Sequence, residues 1–328
     1  MSGILGPREG QKVEDIVIAS GVSRSTVFRY FAGKPVRPAA AAAIERAIAV
    51  LGSGRRAEDT GRRDILVSLP PSYTSFRGYA EILEGLLRRA RELEAAVVID
   101  ARRAELEAPR GVILIGKRIA DEDAEAAAWK AKGIPCVFVN RIFEDEDMSW
   151  VSVDCREAGR DAVSHLIGQG CGRVAAWIDE ESRVSRDKLR GYREALEAAG
   201  LPFEPELVVA PSDLGLEQAF ERLMGLPDPP DGWFSPDDEI AMRVMALAAA
   251  RGLSVPSDLA VIGMNDISAA PLLVPSLSSV RLPFREMGNA AIDALLRLIE
   301  HPCERSVRIL LSHGLAIRDS SLRKESRR

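Results

Sequence analysis

The chain has 328 residues, 46% of them hydrophobic and 28% charged, with a net charge of −5. That length exceeds one ordinary core and predicts two or three units. No run approaches the ~18–20 uncharged apolar residues of a membrane helix, so no membrane partner is expected. The opening MSGILGPREGQK lacks a basic segment followed by an apolar one, which points to a cytoplasmic protein. Cys136, Cys155, Cys171 and Cys303 stand far apart with no CxxC pair, a pattern of reduced thiols rather than of a disulfide framework or a zinc site. Residues 1–63 carry eleven Lys and Arg against six Asp and Glu, and the remainder carries 33 against 43. A basic head on an acidic body suits a polyanion touched by the head alone.

Three helices are predicted within residues 12–51. Val13, Ile16 and Val17 give residues 13–20 one apolar face. Gly21 makes a tight turn, and Ser23 is an N-cap for a second helix at 24–31. Gly33, Lys34 and Pro35 interrupt the chain before a third helix at 38–51, striped by Ile44, Ala47, Ile48 and Leu51. Two short helices joined by SGVS, with Val22 and Val27 inward, form a helix-turn-helix pattern. The second helix offers Arg24, Ser25 and Arg29 outward. Arginine grips guanine O6 and N7 in a bidentate manner, while Ser23 and Thr26 suit phosphates or the backbone. The other reading is a three-helix interaction module with a solvated basic face.

Residues 52–64, GSGRRAEDTGRR and the following aspartate, read as a flexible basic connector. Arg55, Arg56, Arg62 and Arg63 suit phosphates or a narrow minor groove, or simply a solvated linker. No apolar side chain larger than alanine lies there to wedge between bases.

From residue 65 short apolar runs alternate with amphipathic stretches. Strands are predicted at 65–69, 96–99, 112–115, 136–139, 174–178, 207–209, 232–234 and 260–262. Helices are predicted at 79–93, 121–132, 157–169, 188–199, 216–223, 238–251 and 285–300. This alternation implies an α/β body of doubly wound parallel sheets, and so many strands favour two sheets. Ligands of such folds sit beyond the carboxyl ends of strands. Only ten residues separate Asp100 from Gly111, short for a parallel crossover.

Enzyme chemistry finds no footing. GVILIGKR has the outline of a phosphate loop, but its middle is an apolar strand and Arg118 replaces the magnesium-binding hydroxyl. GQGCGR at 168–173 follows a helix and precedes a strand, the reverse of a dinucleotide fingerprint, and fits helix capping. Acidic PDDE at 236–239 places Asp238 as a helix N-cap. His165, His301 and His313 lack partners at ligand spacing. No catalytic residue, metal or cofactor is predicted.

EDIVIASGVSRSTVFRYFAGK resembles the head of the LacI/GalR family of bacterial regulators. GIPCVFVNR, VSVDCREAGRDAVSHLIGQG, RDKLRGYREAL, FSPDDEIAMRVMALAAARGLSVPSDLAVIGMND and PSLSSVRLPFREMG resemble its effector-binding body in order and spacing. The resemblance implies an all-α helix-turn-helix head (1–51), a hinge (52–64) and a periplasmic-binding-protein-like type I body (65–319), followed by a disordered tail (320–328). The body is expected as lobes of about 65–153 with 280–302 and about 154–278 with 304–319, with crossovers near Asp154, Ser279 and Cys303. The implied protein is a repressor that binds operator DNA as a homodimer, governed by a sugar or related small metabolite held between its lobes. By position, Tyr73, Phe76, Tyr79, Asn140, Arg186, Asp237 and Asn265 are the implied effector contacts. The chain departs from the family pattern at Val17, at Phe28 and in the linker, which lacks the family's leucine wedge. Leu214 stands where many members place a stacking ring. A solute-binding sensor or a small-metabolite enzyme without a DNA role is the alternative.

Overall fold

The computed structural model describes residues 13–54, 64–69, 77–100, 109–116, 119–180 and 182–323. The chain divides into two units. The first is Met1–Val139, Phe143–Val151 and Arg285–Ile309, and the second is Asn140–Ile142, Ser152–Phe284 and Leu310–Arg328.

Helices α1 (Val13–Ser20) and α2 (Arg24–Phe31) occupy the predicted positions, and α3 (Pro38–Gly54) runs three residues past the predicted end at 51, into the expected connector. Ile16, Val27, Ile44 and Ala47 are buried together, with Val17, Val22 and Ile48 packed around them. Gly21 turns the chain at φ +63°, a conformation open to glycine without steric cost. The Gly21 amide donates to the Val17 carbonyl at 3.1 Å, so the turn closes directly on the first helix.

The first sheet is built from β1 (Asp64–Ser68), β2 (Ala96–Asp100), β3 (Gly111–Ile115), β4 (Cys136–Val139), β5 (Ser149–Val153) and β11 (Arg308–Leu311). Its order is β11-β5-β4-β3-β1-β2, and the pairs from β5 to β2 are parallel. The helices that follow its strands are α4 (Arg77–Glu92) and α5 (Ile119–Ala131), and α10 (Phe284–Glu300) joins α4.

The second sheet repeats the scheme with β6 (Val174–Trp177), β7 (Val208–Val209), β8 (Gly232–Phe234), β9 (Ala260–Met264), β10 (Ser278–Arg281) and β12 (Gly314–Ala316). Its order is β12-β10-β9-β8-β6-β7, parallel from β10 to β7, with β12 antiparallel at the edge. Its helices are α6 (Cys155–Gly168), α7 (Arg183–Ala198), α8 (Leu216–Met224) and α9 (Asp238–Ala250). Trp233, Phe220, Val244, Val261 and Leu277 belong to the core between this sheet and its helices. Both sheets are thus doubly wound, as the alternating sequence pattern required.

Three features differ from the sequence expectation. Apart from the excursion of Asn140–Ile142 into the second unit, the chain passes between units at 151/152, 284/285 and 309/310 rather than near Asp154, Ser279 and Cys303, so β10 and the loop after it belong to the second unit. Strands β5, β10, β11 and β12 are additional to the predicted set. The expected disordered tail does not begin at residue 320: Ser320 and Ser321 are fully buried. The Ser320 hydroxyl donates to the Val261 carbonyl at 2.7 Å, and the Arg323 guanidinium reaches Asp231. A segment stitched this way to the second sheet is part of the folded body.

Candidate functional sites

Helix α2 carries the first site. Ser23 caps it, accepting from the Thr26 amide, and its hydroxyl also lies 2.9 Å from Thr26 Oγ1 and 3.1 Å from Ser25 Oγ. Only Val27 of this helix is buried, while Arg24, Ser25, Phe28 and Arg29 are exposed. These four fall at i, i+1, i+4 and i+5, one face of a helix. The guanidinium of Arg24 lies 5.8 Å from the Phe28 ring centroid, so Phe28 flanks the cation rather than the core. Arg29 donates to the Pro35 carbonyl at 2.8 Å, which ties the helix end to the loop after it. Tyr30 leaves this face and donates to Glu45 on α3. Arg55 and Arg56 lie outside the described residues.

The second site lies at the carboxyl ends of the second sheet. Strand order reverses between β6 and β8, so the loops after these strands diverge and leave a crevice where ligands of open α/β sheets bind. After β6, Ser182 caps α7, whose first six residues include Arg183, Arg186 and Lys188. After β8 come Ser235, Pro236 and Asp237, and after β9 come Asn265 and Asp266. Lys188 is buried and donates to the Pro236 carbonyl at 2.6 Å, joining the two sides of the switch point. Burial lowers its pKa, opposed by the negative charges of Asp237, Asp238 and Asp179.

Asp237, not Asp238, caps α9: its Oδ1 accepts from the Ile240 amide at 2.8 Å. This corrects the sequence reading of Asp238 as the cap. Asp238 is instead fully buried, accepting from Ser279 Oγ at 2.6 Å and from the Ile267 amide at 2.8 Å. The loop it holds includes Asn265 (φ 110°) and Asp266 (φ 54°), both in the left-handed region. Arg281 and Arg318 pair with Asp266 and fix the loop from its other side.

The predicted effector contacts are distributed as follows. Asn140 (φ 64°), Arg186, Asp237 and Asn265 all belong to the second unit. Tyr79 belongs to the first, and its hydroxyl donates to the Gly116 carbonyl at 3.0 Å, fastening α4 to the end of β3. Tyr73 and Phe76 lie outside the described residues. Leu214 packs on the second core, and its carbonyl accepts from Trp177 Nε1. Lys188, Ser235 and Asp238 were not singled out as site residues from sequence. A signal existed for one of them: Lys188 falls on the stripe of Tyr192, Ala195 and Leu189 that buries α7.

Other motifs resolve structurally. Residues 111–115 of GVILIGKR form a fully buried strand, and Gly170 (φ 89°) ends α6, with the Cys171 amide bonding back to the Leu166 carbonyl. Among the described residues no group of three or more His, Cys, Asp and Glu is placed to hold a metal. Nor is any described helix long and apolar enough to cross a membrane.

Known proteins share this arrangement. A periplasmic binding protein-like domain model matches residues 163–321. The HTH-type transcriptional regulator CelR of Thermobifida fusca is 30% identical over 337 residues, covering 95% of this chain and 99% of its own. The probable HTH-type transcriptional repressor ExuR of Bacillus subtilis is 32% identical over 195 residues, and the chain spans only 58% of its length. A CelR–cellobiose complex has a TM-score of 0.70 at 27% identity, covering 94% of this chain and 99% of that one. A LacI-family regulatory protein from Chloroflexus aggregans has a TM-score of 0.68 at 28% identity, covering 79% and 98%.

Proposed function

This chain belongs to the LacI family of transcription regulators, and from that premise we propose that it reads operator DNA as a homodimer under control of a small effector. One observation carries the reading: α2 buries only Val27 and turns Arg24, Ser25 and Arg29 outward together. A helix of this kind enters the major groove and reads bases from its N-terminal half. The net positive charge of residues 1–63 supplies the phosphate attraction, with Ser23 and Thr26 at the helix start and Arg55 and Arg56 in the connector as further contacts. The proposed effector contacts are Arg186, Asp237 and Asn265 at the strand ends of the second sheet, to which we add Lys188 and Ser235, with Asn140, directly after β4, and Tyr73, Phe76 and Tyr79 as further candidates. The cellobiose complex of the CelR relative supports a carbohydrate-type ligand.

A second copy of the chain is the proposed partner. Leu272 and Val274 are 79% and 98% exposed in the loop between β9 and β10, an apolar surface suited to a two-fold contact. Selection of duplexes from a random DNA pool by the full chain tests the reading. The expected product is a pseudo-palindrome whose half-sites are centred about one helical turn, 10–10.5 base pairs, apart or a multiple of it. Recovery of no enriched sequence contradicts it.

A further inference from the structure

The three aromatic side chains of α2 face different surroundings. Tyr30 and Phe31 pack against the buried cluster of the head, their rings edge to face with centroids 5.8 Å apart. Phe28 is half exposed. At about 100° per residue it leaves the helix between Arg24 and Ser25, with Arg29 beyond Ser25. Single exposed apolar side chains are common on protein surfaces. This one is set apart by its place within the face that carries the polar reading residues. The Arg24 guanidinium lies 5.8 Å from its ring centroid, so ring and cation stand side by side at the helix surface.

The chemistry of the groove limits what such a ring can touch. A hydrocarbon ring strips water from a phosphate and returns no hydrogen bond. Among the groups that base pairs display in the major groove, the C5 methyl of thymine is the apolar one. Four residues of helix rise about 6 Å, and base pairs stack about 3.4 Å apart. A ring one turn beyond Arg24 therefore reaches a base within about two pairs of the one Arg24 grips.

We propose that Phe28 is a specificity-determining residue: its ring packs on the C5 methyl of a thymine near the guanine held by Arg24, and each half-site requires that thymine. The assignment rests on the operator reading above and adds a base contact to it.

The test starts from the duplex that the full chain selects out of a random pool. Each thymine of the half-site is replaced in turn by deoxyuridine, in both half-sites at once, which deletes one methyl per half-site and keeps the pairing. Dissociation constants are measured for the parent, Phe28→Ala and Phe28→Leu at one salt concentration low enough for all three to bind. At one position the parent should lose about fourfold per half-site, the worth of one buried methyl. Phe28→Ala should bind the thymine and uracil duplexes alike, and Phe28→Leu should keep part of the difference. The readout is a ratio within each protein, so a change in its folded fraction cancels.

A half-site with no thymine near that guanine, or a parent indifferent to every uracil, would overturn the proposal. A uracil penalty that persists in Phe28→Ala would do the same. So would a Phe28→Ala variant that loses only its preference for guanine, since the ring would then serve Arg24 alone. These outcomes leave the operator reading standing, whereas a pool with no enriched sequence strikes that reading and the Phe28 contact with it.

Discussion

At the residue scale, Asp238 shows how a site is held by a group that does not face it. Its carboxylate is buried under α9, and burial raises its pKa to about 7, with Asp266 and Asp237 adding to the rise. Between about pH 4 and 7 the folded chain therefore keeps a proton that the unfolded chain has released. Stability falls as pH rises through that window and is level above it, a total of about 4 kcal/mol. Asp238→Asn removes the charge and keeps the shape, so melting at pH 8 should rise above the parent's while melting near pH 4.5 stays close to it. His165, whose pKa burial lowers, contributes a slope of the opposite sign below about pH 6.5. Comparing variant with parent cancels that slope. A difference independent of pH would show that Asp238 is ionised throughout. Sequence reading reached its neighbour Asp237 through the family resemblance, by position, while the residue pattern alone pointed to Asp238 as the cap. It could not separate adjacent aspartates, since which one caps and which one is buried depends on Ser279 and Ile267, far along the chain.

At the element scale, the alternation of strand and helix was legible because parallel strands buried on both faces read as continuous apolar runs. Strands β10 (SSVR) and β12 (GLA) carry no such run, and in the edge strand β11 (RILL) it is three residues long, so only their pairing reveals them. Helix α7 begins at Arg183, five residues before the expected 188, because the Ser182 hydroxyl accepts from the Ser185 amide and caps an additional turn. That turn brings Arg183 and Arg186 onto the helix. The same helix crosses α6 so closely that a Cβ on Gly191 would collide with the Arg156 carbonyl, and Gly288 on α10 meets the Ile82 carbonyl of α4 in the same manner. Backbone cannot yield as a flexible side chain does. Gly191→Ala should thus lower stability by about 1–3 kcal/mol through overpacking, read as a lower midpoint in urea unfolding. An unchanged midpoint would mean that the helices separate freely. Since α7 carries Lys188 and Arg186, the crossing also sets where these two proposed effector contacts stand.

At the scale of the whole molecule, charge and fold agree on a division of labour. Ahead of residue 64 the chain carries a basic excess of eleven Lys and Arg over six Asp and Glu, and after it an acidic excess of 43 over 33. Sequence reading found this division and the doubly wound sheets. It placed the second long passage about five residues early, at Ser279 instead of 284/285, since Ser278–Arg281 completes the second sheet before the chain leaves. The claim on which the account stands is sequence-specific DNA reading by α2. The direct test is the ratio of dissociation constants for a selected operator duplex and a scrambled duplex of the same composition, at one fixed salt concentration, for the parent and for Arg29→Ala. The account predicts that the parent favours the operator by about 10³-fold or more. In Arg29→Ala that ratio should drop by about 10-fold or more, with scrambled-duplex binding changed far less. A parent that binds both duplexes equally would contradict it, as would an Arg29→Ala variant that loses both affinities in the same proportion.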